Sequence, residues 1–569
     1  MYFKLLATIT FCTFTLVNAS EITLEWLNDK PRTYAKDFYI WQYLKQDITP
    51  IQAIDALGQA NNVNNRLFYS YAKKLKHDET YAVVQCMKAK NKVLVNTNAN
   101  CIEVGLSIYD ITKLNDQQIE TVKRKLANKY LDKIKYIDII SAAIPFTRLI
   151  STDSDSFFKV FNNCGSKYRA NNFNYKLPKK TIDKLVVNKK FNQTIKLIVT
   201  NPNMRQAQKS LINIDDSQLT HRSSFLLGIN AIKHSNYVAA ADYFDNAYDK
   251  AYYQFDKDKV TFWRYLLTGH TSYLKKLTTS WDLNIYTIYA NEHFGNKLEN
   301  IVYDLSMNEN EISQNQEIAD PFFWIPILNN LNGLDERKMF DYSNTLNDKD
   351  TSPHLSFIYE RFYNYRKSYF ITPYNRYVNN YSKQRQSLMY AIGRQESRFI
   401  PSSISTAYAM GIMQIMPFLS KAIAKQLNED YDITDQLKPE TNLRYANFHL
   451  NFLVPAMKHP LLIAYAYNGG IGFTRRMLKN GLFNKNSKFK EYEPFLSMEL
   501  LPYDETKKYG KKVLAKYYIV KFDKEKLNKK FLKNLTYKQR YKQFEYKELI
   551  LKLSENEDSF TSLTFQKEI

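Results

Sequence analysis

The sequence predicts a mainly α-helical protein in two parts, a stacked α-solenoid over residues 20–370 and a compact second domain over residues 371–525. Three observations carry this. Gly and Pro are scarce, 14 and 16 of 569 residues, while 44% of residues are hydrophobic, which excludes collagen-like, linker-rich, wholly disordered and turn-rich all-β chains. Apolar residues recur at helical spacing through the first two thirds of the chain. Seven of the fourteen glycines fall within residues 391–510, where the backbone therefore needs special geometry.

At the N-terminus, Lys4 precedes an apolar run from Leu5 to Val17 that is too short to span a membrane and ends in Val17-Asn18-Ala19. This reads as a signal peptide over residues 1–19, cut after Ala19, and it places the protein in the periplasm. Cys12 follows Phe11, which suits a lipoprotein cleavage site poorly. No later segment reaches about 18 continuous apolar residues, so a soluble mature protein is expected. The net charge of +23 calls for an anionic partner, and export turns that expectation away from nucleic acid.

Three cysteines remain after Cys12, and an oxidising compartment permits one disulfide with one thiol left over. Cys86 and Cys101, which bracket the polar stretch Lys88 to Asn100, are the expected pair, an all-free set being the alternative. No CxxC, HExxH, Walker-type glycine loop or GxGxxG is present, so no metal and no cofactor is expected.

Within the solenoid, Leu227-Gly228-x-x-Ala231 followed by Tyr237-x3-Ala241-x2-Phe244-x2-Ala247 alternates small and large apolar residues at helical spacing, the signature of a packed helical hairpin. Ile285-x3-Tyr289-Ala290-x3-Phe294-Gly295 repeats the theme and ends on a glycine suited to a helix C-cap. The aromatic residues here read as core, and nothing gathers catalytic residue types.

The second domain opens on QRQSLMYAIGRQESRF, residues 384–399, where Met389, Ile392 and Glu396 share one helix side. A carboxylate beside two large apolar side chains tends to be desolvated, and burial raises its pKa toward the range a general acid needs. Three further blocks follow: Ser405-Thr406-Ala407-Tyr408-Ala409-Met410-Gly411-Ile412-Met413-Gln414-Ile415-Met416-Pro417, then Ala466-Tyr467-Asn468-Gly469-Gly470-x-Gly472, then Glu499-x-x-Pro502-x-x-Glu505-Thr506-x-x-Tyr509. With Glu396-Ser397-x-Phe399, these four blocks in order over about 115 residues resemble the soluble lytic transglycosylases of the lysozyme-like superfamily. Larger members of that family carry a helical superhelix ahead of the catalytic domain, which agrees with the solenoid read from periodicity.

The resemblance implies a lysozyme-like catalytic domain that cleaves the β-1,4 bond between N-acetylmuramic acid and N-acetylglucosamine in peptidoglycan without water, leaving 1,6-anhydromuramoyl ends. Glu396 is implied as the single acid and then base. Implied substrate-binding residues are Ser405 and Gln414 toward the sugar or its N-acetyl group, Met416 as an apolar wall, Tyr467 positioning Glu396 through its hydroxyl, Asn468, and Glu499 as a cleft residue. Glu505 is read instead as a favourable charge in a helix first turn. Departures from the family pattern are Tyr408 for a glycine, Gly469 for alanine, Ile471 for proline and His449 for a tyrosine. Tyr408 is the most consequential, since its ring is expected to narrow or line the cleft beside Glu396 on a strained backbone.

Residues 526–569 form a basic C-terminal extension; residues 521–552 hold eleven Lys and Arg against four Asp and Glu, which suits contact with anionic wall or a membrane surface, a solvated extension being the alternative. A monomer acting on glycan strands is expected. Two other readings use the same features: a hydrolytic goose-type muramidase, and a non-catalytic peptidoglycan-binding scaffold, against which the intact Glu396 argues.

Overall fold

The computed structural model describes residues 21–75, 79–305, 316–484 and 487–528. The expected signal peptide and most of the expected basic extension lie outside these residues. The described chain is a succession of helices, with one parallel pair of two-residue strands, Ile301–Val302 and Ser368–Tyr369. Among the described residues no helix is long and apolar enough to cross a membrane.

Helix starts are written in the sequence. Thr49 with Gln52, Asn115 with Gln118 and Asn284 with Thr287 form reciprocal capping boxes that satisfy otherwise orphaned amides. The hairpin read from spacing is present: His221–Lys233 packs against Tyr237–Asp249, and Phe244 lies so close to Gly228 that a Cβ there would meet the ring at 2.5 Å. Gly295 ends Ile285–Phe294 in the left-handed conformation, φ +71°, with its amide on the Asn291 and Glu292 carbonyls. Cys86 and Cys101 are joined by a disulfide, and Cys164 is free and buried.

One hydrophobic core runs unbroken from Leu94 in the solenoid to Val520 in the last helix. The two parts are sealed by aromatic side chains: Phe262 packs on Phe495 with ring centroids 4.5 Å apart, and Trp263 stacks on Tyr492 at 6.0 Å. The N-terminal helices also reach the second domain. Phe38 and Trp41, on the helix Tyr34–Tyr43, enclose Tyr408, and Asn64 donates to the Thr406 carbonyl at 2.8 Å.

Candidate active site

Glu396 is the last residue of the helix Lys383–Glu396, whose N-cap Ser382 accepts from the Arg385 amide. Met389 and Ile392 on the same side are 1% and 0% exposed, so the apolar face predicted from spacing is buried. Arg394 and Arg398, flanking the acid, both pair with Glu360, and Glu360 also accepts from the Tyr369 amide at 3.0 Å. This buried cluster fixes the acid-bearing end against the preceding helix Ser352–Phe362.

The loop after the acid is built by backbone devices. Met410 bridges to Ile404 on one side and Ile415 on the other. Gly411 has φ +75°, and a Cβ there would lie 2.1 Å from the Gln436 carbonyl oxygen, so only glycine fits. Asn442, fully buried on the helix Pro439–Met457, clamps this turn by accepting from the Met413 amide at 2.7 Å and donating to the Met410 carbonyl at 3.0 Å.

Around Glu396 the closest polar partner is Tyr509, whose hydroxyl donates to Oε1 at 2.6 Å. Burial raises the Glu396 pKa to about 7; the Tyr509 hydrogen bond opposes the shift and the charge of Glu505 adds to it. Tyr509 lies on the long helix Asp504–Asn528, as do the residues Glu505 and Thr506 that engage Asn468: Thr506 donates to its Oδ1 at 2.7 Å, and its Nδ2 donates to Glu505 at 3.4 Å.

The expected site residues fall into distinct places. Tyr467, half-buried on Pro460–Gly469, donates its hydroxyl to the Met413 carbonyl at 2.8 Å, so it braces the loop while Tyr509 takes the contact with the acid. Ser405 accepts from the Ala409 amide at 2.9 Å and shapes the turn. Gln414, at φ +48°, donates to the Ser403 and Gly411 carbonyls, and among the described residues no donor engages its Oε1. Met416 is the half-buried N-cap of Pro417–Leu427.

Two expectations are corrected. Glu499 does not face Glu396; it is 2% exposed, paired with Lys511 at 2.6 Å and accepting from the Tyr286 hydroxyl of the solenoid at 2.9 Å. Burial would raise its pKa, but Lys511, Lys259 and Lys507 outweigh that and hold it below the usual carboxylate range. Tyr408 does not line the cleft; it is 1% exposed, stacked on Trp41 at 5.2 Å and set edge-on to Phe38 at 5.9 Å. Its φ of +64° is the strained conformation expected of a side chain replacing glycine, and the aromatic stack holds it there. Tyr509 was missed as a site residue, although it belongs to the fourth sequence block, while Glu505 stands in the first turn of Asp504–Asn528 as read from the sequence. The acidic residues after the loop serve structure: Glu429 pairs with Arg444 and accepts from Tyr445, and Asp432 caps the turn at Thr434.

Residues 374–490 match the family model described as Transglycosylase SLT domain. The chain is 32% identical over 148 residues to the soluble lytic murein transglycosylase of Salmonella typhimurium, covering 25% of this chain and 22% of that protein. To the soluble lytic murein transglycosylase of Escherichia coli it is 31% identical over the same length and coverage. The match thus spans about a fifth of the length of these curated relatives. Among solved structures, the 70 kDa soluble lytic transglycosylase of Escherichia coli is similar over 88% of this chain and 82% of that chain, with TM-score 0.46 and 16% identity. An inactive mutant of the lytic transglycosylase Slt from Pseudomonas aeruginosa is similar over 89% and 88%, with TM-score 0.44 and 15% identity. The likeness to the Transglycosylase SLT domain thus rests on residues 374–490.

Proposed function

We propose that this protein is an exported lytic transglycosylase of peptidoglycan, with residues 371–525 as its catalytic unit and Glu396 as the one residue that moves protons. The observation that carries the reading is a desolvated carboxyl whose pKa, about 7, lets it hold a proton at neutral pH, and which is hydrogen-bonded by a neutral phenol instead of a cation. Such a group can donate its proton to the glycosidic oxygen between N-acetylmuramic acid and N-acetylglucosamine as that bond breaks. The carboxylate then accepts the proton of the muramoyl C6 hydroxyl as O6 bonds to C1, closing a 1,6-anhydro ring and returning Glu396 to its protonated form. Glycosidases that use water or a covalent intermediate set a second carboxyl across the bond. Here the second carboxylate whose charge reaches Glu396, Glu505, is exposed and engaged by Asn468.

The open Oε1 of Gln414 and the half-buried Met416 and Asn468 supply polar and apolar contacts for the sugar, and Ser405 and Tyr467 hold the loop that presents them. The net charge of +23 suits an anionic wall polymer. The periplasm is the proposed compartment, and a monomer the proposed state. Mass spectrometry of fragments released from purified peptidoglycan tests the reading. Muramoyl ends lighter by one water, absent with Glu396→Gln, are expected; reducing ends would identify a hydrolase, and no release by either protein would leave a wall-binding role.

A further inference from the structure

A cavity of about 420 Å³ lies at the seam between the solenoid and the last helix, away from the contacts of Glu396. Its walls come from the solenoid helices Phe191–Val199, His221–Lys233 and Gln254–Thr268 and from Asp504–Asn528. Seven Lys and Arg side chains line it against two carboxylates, Glu499 and Asp504. Part of this charge is answered internally: Lys511 by Glu499 at 2.6 Å, Lys259 by Asp256 at 3.0 Å, and Lys196 by Asp504 at 3.1 Å. The rest is not. Lys507 is 7% exposed, and the carboxylate within its reach, the already shared Asp504, is 3.7 Å away, beyond a hydrogen bond. Lys508, Arg222 and Lys189 have no ion pair among the described residues. The positive end of the thirteen-residue helix His221–Lys233 opens onto the same space through Thr220 to Ser223.

We propose that this seam cavity binds a multivalent oxyanion, a phosphate or a cluster of carboxylates, through Lys507, Lys508 and Arg222. Buried like charges repel and are costly to desolvate, and an anion reverses both effects. Burial already depresses Lys507 and Lys508, and takes Lys511 down to about 8, although Glu499 and Asp504 at Lys507, Asp256 at Lys508 and Glu499 at Lys511 oppose the shift. The helix that supplies Lys507, Lys508 and Lys511 also carries Tyr509, so an anion in the seam holds the helix whose hydroxyl meets Glu396. A second cavity of about 450 Å³ shares Lys196 and Asp504 with the first and continues to Asn468 and Glu505. The oxyanion therefore has two sources of one chemistry: a free anion, or carboxylates of a peptide carried on a glycan held at Glu396.

Thermal unfolding of the mature chain in inorganic phosphate and in citrate, against sodium chloride of equal ionic strength, tests the site without reference to catalysis. A saturable rise in Tm with either oxyanion, and none with chloride, is expected. In Arg222→Gln/Lys508→Gln, one exposed and one half-buried position, the apparent affinity should fall about tenfold or more, since each lost charge-assisted bond is worth roughly a factor of ten. Arg222→Gln alone, at an exposed position, gives the same reading should the pair perturb folding. An equal response to chloride, or undiminished binding in the folded variants, overturns the proposal. Competition between phosphate and a soluble peptide-bearing muropeptide for Glu396→Gln assigns the anion to the substrate, and independent binding assigns it to solution.

Discussion

Glu396 and Glu499 stand in the same domain, are both desolvated, and have pKa values shifted in opposite directions. Glu396 meets the phenol of Tyr509 and is raised to about 7; Glu499 meets the ammonium of Lys511 and is held low. Burial is the first cause at both sites, so the partner decides what burial achieves. A neutral donor leaves a transferable proton. A cation leaves a fixed ion pair that fastens the second domain to Tyr286 of the solenoid.

The comparison can be broken most sharply at the acid. Glu396→Gln keeps the shape and removes the proton, and turnover of peptidoglycan, followed by release of soluble fragments, should drop about 10²–10⁴-fold. The largest effect on stability belongs to the other carboxylate: Glu499→Gln strands Lys511 in the interior and should cost about 3–5 kcal/mol in chemical unfolding, while Glu499→Gln/Lys511→Met recovers most of it.

A smaller effect separates the two glutamates by sign. Because the folded pKa of Glu396 lies above its unfolded value, the proton stabilises the fold fully below about pH 4.5 and that contribution is lost as pH rises through about 7. Glu396→Gln should therefore unfold at higher temperature than the parent at pH 8, by about 1–2 kcal/mol for a carboxyl partly open to the cleft, and at the same temperature near pH 4.5. An equal gain at both pH values would show that the carboxyl is not held protonated. The finest adjustment is Tyr509→Phe. Its hydrogen bond favours the charged form, so its loss should move the alkaline limb of kcat/KM upward by up to about one pH unit without unfolding the chain.

What the sequence made legible was whatever a single helix can encode. Gly228 against Phe244, Gly295 as a cap, and Glu396 on the buried side of Met389 and Ile392 are all consequences of spacing within a few turns. The contacts that went unread join distant segments. Tyr509 reaches Glu396 across 113 residues, and Tyr286 reaches Glu499 across 213. Motif order placed Glu499 near the chemistry, yet which side of a short helix faces the cleft and which faces the solenoid is settled only when the two parts pack. Tyr408 is the same lesson in reverse, since a residue that breaks its block's glycine pattern is explained by two aromatics some 370 positions earlier.

That last contact sets an order of events in the life of the chain. Phe38 and Trp41 leave the ribosome long before their partner: at roughly 5–20 residues per second, the interval to Tyr408 is on the order of twenty to seventy seconds. Throughout it the faces of the two rings that meet Tyr408 have no native partner, and a pairing of such high sequence separation forms late on any route to the native state. A chain cut short before Tyr408 is therefore a sticky chain, and the loop beside Glu396 acquires its last wall only when the first-made helices meet the last-made domain.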